Sequence, residues 1–156
     1  MKSIEKVHFY NIKSFFEITK ILNECGKDMA RKYNLHHWEN PMLKTMIIVV
    51  LCLLKNKVYL VKYDGLAEAT FQLKSGEDEL FFEKLAVNPI SGNKGYGSFC
   101  MKAIEKKAEQ LGKHKVRMEV YDQSQHAIDF YLAKGYSKVG ETHTLKYNSL
   151  IMEKEL

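Results

Sequence analysis

Apolar positions along the chain change period several times, and each change marks an element. Residues 1–10 carry Ile4, Val7 and Phe9 in a short predicted strand. Asn11 offers a helix cap, and Phe15, Ile18, Leu22, Cys25 and Met29 recur at intervals of three and four. That spacing lays one apolar face along a helix. Gly26 falls inside the run and is expected to break the helix into two pieces. Tyr33 to Glu39 reads as a loop. Asn40-Pro41 signals a second helix, with Asn as cap and Pro as first residue. Its middle, Ile47 to Val50, is β-branched, so periodicity alone does not separate helix from strand. Length and the start signal predict a helix over 41–55. Val58–Tyr63 reads as a strand, Asp64-Gly65 as a hairpin turn, and Ala67–Leu73 alternates with period two. Ser75–Asp78 turns again, and Leu80–Val87 is the next strand.

From Gly97 a helix follows, with Met101, Ile104, Ala108 and Leu111 as its buried stripe and Gly112 as its stop. Val116–Tyr121 is then a strand. Strand, glycine loop, helix and strand within about 35 residues make a βαβ unit with parallel strands and a right-handed crossover. Ala127–Lys134 is a short helix closed by Gly135. Tyr136–Val139 begins a final hairpin, whose last strand is expected over Leu145–Met152. No repeat, linker or low-complexity segment appears.

Composition narrows the class. A chain of 156 residues is expected to be one domain, 1–156, able to bury a core without staples. Cys25, Cys52 and Cys100 are odd in number and far apart, which fits reduced thiols and a cytoplasmic location. Lys2, Glu5 and Lys6 near the start argue against a signal peptide. The longest apolar run, Met46–Leu54, is nine residues and too short for a membrane span, so no membrane partner is expected. His36 and His37 are adjacent and cannot face one ion together, so no metal is expected. The net charge of +5 suits an anionic ligand.

The chemistry gathers at Leu85-Ala86-Val87-Asn88-Pro89-Ile90-Ser91-Gly92-Asn93-Lys94-Gly95-Tyr96-Gly97-Ser98. A strand meets a loop with three glycines and then a helix. Glycine lets main chain approach a ligand closely, and the helix start offers unpaired N–H groups and a positive dipole end. Such an end binds phosphate. The order Gly92-x-x-Gly95-x-Gly97 matches neither a dinucleotide fingerprint nor a nucleoside-triphosphate loop. It resembles the coenzyme A loop of the GNAT acyltransferase superfamily, V-x-P-x-x-[QR]-x-x-G-x-[GA], with Gly92 in the Gln/Arg slot. Ser124-Gln125-His126-Ala127 through Tyr131 to Gly135-Tyr136 resembles that superfamily's second motif, N-x-x-A-x-x-x-Y-x-x-x-G-[FY], with Ser124 in place of Asn. The two motifs cover about residues 80–140 in the superfamily's order.

The resemblance implies a single-domain α/β GNAT fold: a mixed central sheet with splayed parallel strands, flanked by helices. It implies acetyl-CoA as co-substrate and no metal. The pantetheine arm would pair with main chain of Leu85, Ala86 and Val87, and the pyrophosphate would meet Gly92, Asn93, Lys94, Gly95, Tyr96, Gly97 and Ser98. Ser124 would bond the arm and Tyr131 would act as general acid. An attacking amine must lose a proton, and Glu83 is the first candidate base. Glu119, on the neighbouring strand, is the second candidate and a candidate for the acceptor site. Tyr33, Trp38 and Glu39 are further acceptor candidates, since an aromatic beside a carboxylate suits a cationic amine. The expected activity is acetyl transfer from acetyl-CoA to a primary amine, small-molecule or peptide, by direct attack in a ternary complex. Two rivals share some of these features. A catalytically idle acyl-CoA-binding module would use the glycine loop but need neither Tyr131 nor a base. A basic nucleic-acid binder would rest on the +5 charge, but Lys and Arg are scattered and carry no recognition motif, so no nucleic acid is expected. The acceptor's identity and assembly as a homodimer stay open.

Overall fold

The computed structural model describes residues 1–156. In chain order the elements are β1 (Lys2–Val7), α1 (Ile12–Tyr33), α2 (Met42–Lys55), β2 (Lys57–Tyr63), β3 (Leu66–Ser75), β4 (Glu79–Val87), a 3-10 turn (Pro89–Ser91), α3 (Tyr96–Gln110), β5 (Lys115–Tyr121), α4 (Gln125–Ala133), β6 (Ser137–His143) and β7 (Asn148–Glu155). The seven strands form one mixed sheet in the order β1-β2-β3-β4-β5-β7-β6. Its one parallel pair is β4 with β5, matched over Glu79–Phe81 and Lys115–Arg117. This is the mixed α/β architecture that the motifs imply.

The chain divides into two compact units, Met1–Lys74 with Lys84–Ala103, and Ser75–Glu83 with Ile104–Leu156. In the first, α1 and α2 cover a core of Val7, Ile18, Ile21, Leu22, Val49, Cys52, Val58, Leu60 and Ala86. Asn11 caps α1 through a side-chain oxygen that accepts the Ser14 N–H. Asp64 and Gly65 both take positive φ, the geometry a two-residue hairpin requires. In the second unit, β7 lies between β5 and β6 and is antiparallel to both. Leu80, Phe82, Ile104, Val116, Met118 and Met152 are buried there.

Several elements depart from the sequence reading. The α1 helix is continuous from Ile12 to Tyr33 and is not broken at Gly26. Gly26 is there for close packing: a Cβ on it would lie 2.2 Å from the Trp38 carbonyl oxygen. The α2 cap is Pro41 rather than Asn40, and the helix starts at Met42. Asn40 instead donates its side-chain N–H to the Trp38 carbonyl. Leu111 is not part of the buried stripe; α3 has ended and the side chain is exposed. The short helix starts at Gln125, two residues early, because the Ser124 carbonyl accepts the Ala127 and Ile128 N–H groups. The last strand runs three residues later than expected. Thr144 and Tyr147 close a turn that leaves Leu145 fully exposed at its tip.

Gly26 gives a test with a definite sign. Within a helix, Gly→Ala ordinarily stabilises by roughly 0.5–1 kcal/mol. Here the added methyl meets backbone, and overpacking of this kind costs about 1–3 kcal/mol. Gly26→Ala is therefore expected to lower the melting temperature in thermal denaturation. A rise would mean that the loop around Trp38 moves aside freely.

Candidate active site

The glycine loop lies wholly in the first unit. It begins where the Asn88 N–H donates to the Glu68 carbonyl at 2.7 Å, tying the end of β4 to β3. The Asn88 side chain accepts the Ile90 N–H and starts the 3-10 turn, with Pro89 in its first turn. Asn93 and Gly95 then take positive φ, 61° and 78°. Gly95 leads into α3: its carbonyl accepts the Phe99 N–H at 3.0 Å. The N–H groups before Phe99 are thus those a helix start leaves without intrahelical partners. A Cβ on Gly95 would meet nothing within 4 Å, and Gly92, Asn93, Lys94 and Gly95 are all exposed. The Gly92 N–H is given to the Pro89 carbonyl at 3.2 Å, so the side of the loop that faces solvent offers a ligand the residues from Asn93 to Gly95. Tyr96 is buried, and the Lys2 ammonium sits 4.8 Å from its ring and 5.3 Å from that of Phe99, fixing the first turn of α3 against β1. Gly97 and Ser98, half-buried, complete that turn.

Two features of β4 were not legible in the sequence. Lys84 takes φ 48°, in the left-handed region, inside a strand. A non-glycine residue there is held by its surroundings, and such kinks re-aim side chains at functional edges. No glycine marked the place. The second feature is the Cys25 thiol on α1, which donates to the Val87 carbonyl at 2.9 Å. Burial pushes this thiol up to about 12, so it stays protonated as a donor. Of the residues expected to pair with an extended ligand, Ala86 is buried, while Leu85 and Val87 are half-buried. Glu68 is also new: it is the extra residue of the bulge between β2 and β3, and its buried Oε2 has no hydrogen-bond partner.

The second unit holds Tyr131, Ser124, Glu83 and Glu119. Tyr131 is 8% exposed, and its ring centroid lies 5.8 Å from Phe82 and 6.1 Å from Tyr136. Tyr136 donates its O–H to Glu105, which also receives Lys154 at 3.0 Å. Burial, with the Glu105 carboxylate beside it, raises the Tyr136 phenol well above its ordinary range. Ser124 is buried, and its hydroxyl makes no capping bond to α4. Glu83 is exposed, and strand alternation turns it to the sheet face opposite Phe82 and hence opposite Tyr131. Glu119 is exposed and accepts the Thr142 hydroxyl at 3.1 Å.

The acceptor candidates separate. Trp38 packs against the first unit's core. Tyr33 ends α1 and is exposed, as is Glu39, whose carboxylate meets His36 Nδ1 at 2.5 Å. No group of three or more His, Cys, Asp or Glu is placed to hold a metal ion. No helix is long and apolar enough to cross a membrane.

In chain order a strand of the mixed sheet, the glycine loop, a helix and the strand parallel to the first follow one another. The Acetyltransferase (GNAT) family model matches residues 18–136, and the chain belongs to that family. Among solved structures it resembles the PaiA N-acetyltransferase of Thermoplasma acidophilum in complex with coenzyme A, with a TM-score of 0.81 and 17% identity over 100% of this chain and 99% of that one. It also resembles an acetyltransferase from Thermus thermophilus, at 0.79 and 14% over 100% and 97%. The ribosomal-protein-S18-alanine N-acetyltransferase of Escherichia coli aligns at 0.74 and 15% over 99% and 94%. At these identities the likeness is one of fold. No curated protein matches the sequence.

Proposed function

We propose that this chain is an N-acetyltransferase that moves an acetyl group from acetyl-CoA to a primary amine by direct attack in a ternary complex. The observation that carries the reading is the exposed main-chain cradle from Gly92 to Gly95, open above Gly95 and set at the start of α3. A cradle of N–H groups at a positive dipole end fits a pyrophosphate. Family membership and a neighbour holding coenzyme A support the same ligand. We read the two compact units as one domain, 1–156, because β4 and α3 each run through both. Three free thiols suit the cytoplasm.

Acetyl-CoA supplies the activated acyl group, and the chain's residues bind it and move protons. Main chain of Leu85, Ala86 and Val87 pairs with the pantetheine arm, and the Cys25 thiol donates to the Val87 carbonyl at the end of that stretch. Gly92 to Ser98 hold the pyrophosphate, and Ser124 bonds the arm. Glu83, directly or through water, takes the proton the amine must lose to attack. Tyr131 gives its phenolic proton to the departing thiolate. Tyr33 and Glu39 serve the amine acceptor through an aromatic face and a carboxylate, with Trp38 as the anchor of their loop and Glu119 as a further carboxylate.

Thermal denaturation tests the ligand. One that binds only the folded chain adds about 2.7 kcal/mol of stability at 100 times its Kd. Acetyl-CoA and coenzyme A are expected to raise the melting temperature, and dephospho-coenzyme A to raise it less. An unmoved curve at saturating acetyl-CoA would remove the reading.

A further inference from the structure

The α2 helix has two apolar faces. Thr45, Val49 and Cys52 are buried toward the core. On the other side Leu43 is 70% exposed, Ile47 54%, Val50 44%, Leu51 47% and Leu54 68%. At 3.6 residues per turn these five side chains fall within a stripe about 100° wide. Lys44 and Lys55, both exposed, flank one side of it. Nothing in the acetyl-transfer reading uses this face.

The spacing of the stripe is that of a coiled-coil seam. Leu43, Ile47, Val50 and Leu54 follow at four, three and four, the alternation of a and d positions. Read in either direction the intervals are the same. We propose that α2 pairs with α2 of a second copy of this chain, antiparallel about a two-fold axis. Leu43 then packs on Leu54 of the other copy, and Ile47 on Val50. An isologous contact needs such a self-complementary patch.

Two further points favour a second copy. Antiparallel pairing sets the positive start of each α2 beside the negative end of the other. Lys55 falls outside the seam, and the Lys44 stem can lie over Leu51 of the other copy while its amine stays in water. The stripe is on the scale of the few hundred Å² at which an exposed apolar patch marks an interaction surface. That is less than the roughly 800 Å² per partner of a standard stable interface, so the dimer is expected to be concentration-dependent.

The test is sedimentation equilibrium of the full chain across the micromolar range. The unchanged chain is expected to dimerise with rising concentration, and Ile47→Glu and Val50→Lys are each expected to stay monomeric, with the parent's melting temperature at concentrations where the parent is itself monomeric. Mixing the two variants is expected to restore a dimer, since the new carboxylate of one chain meets the new amine of the other. A parallel pair would set like positions together and give no rescue on mixing, which would overturn the antiparallel register. An unchanged chain that is monomeric throughout would overturn the proposal, and more so if it bound vesicles of phosphatidylserine and phosphatidylcholine through α2.

Discussion

Tyr131→Phe is expected to lower kcat about a hundredfold, with the affinity for acetyl-CoA within a few-fold of the parent. The substitution keeps the ring, which packs with Phe82 and Tyr136, and removes only the O–H. Positioned acid catalysis contributes about 10²–10⁴-fold. The low end is expected because solvent can supply part of the proton. At that end the change is about 3 kcal/mol of barrier. Steady-state kinetics with any accepted amine reads the loss, and thermal denaturation shows whether the ring's packing survived. Turnover at the parental rate would make Tyr131 a packing residue only and leave the proton to water.

Gly97→Val is expected to weaken coenzyme A binding ten- to a hundredfold while leaving the fold intact. Gly97 lies in the first turn of α3, where the helix start offers its unpaired N–H groups. A branched side chain there holds a phosphate off those donors. Hydrogen bonds to a charged group contribute about 1.5–3 kcal/mol each, and about 1.4 kcal/mol is a factor of ten. Valine is a slightly better helix residue than glycine, so stability should not fall with affinity. Calorimetric titration with coenzyme A separates the two effects. Unchanged affinity would move the phosphate seat off this turn.

The parts of the molecule legible in the sequence are those whose physics is local. The loop from Asn88 to Gly97 announced itself through Pro89 and three glycines, and the structure puts positive φ at Asn93 and Gly95 and a helix start directly after them. Tyr131 and Gly135 marked a short helix and its stop, and Gly135 takes φ 88°. The turn at Asp64-Gly65 was equally local.

What was hidden depends on tertiary neighbours. Gly26 looked like a breaker, but its role is to admit the Trp38 carbonyl, a residue twelve positions away. Lys84 adopts a glycine-like φ with nothing in its identity to signal it. The Cys25 bond to Val87 joins residues 62 apart. Leu145 was expected to open the last strand and instead tips a turn, because the register of β7 is set by its pairing with β5, Met152 opposite Met118. The apolar run from Met46 to Leu54 was visible as a run, but only the fold separates the face that meets the core from the face that does not.

Acetyl transfer to an amine is tested by mass-spectrometric detection of acetylated product, with the purified chain, acetyl-CoA and a panel of primary amines including polyamines, amino sugars, amino acids and peptide N-termini. Enzyme-dependent N-acetylation of at least one amine is expected, with one thiol of coenzyme A released per acetyl group transferred and a loss of rate in Tyr131→Phe. Acetyl-CoA that binds and stabilises the chain, while no amine in the panel becomes acetylated and no thiol is released, would contradict it and leave an acyl-CoA-binding module in its place.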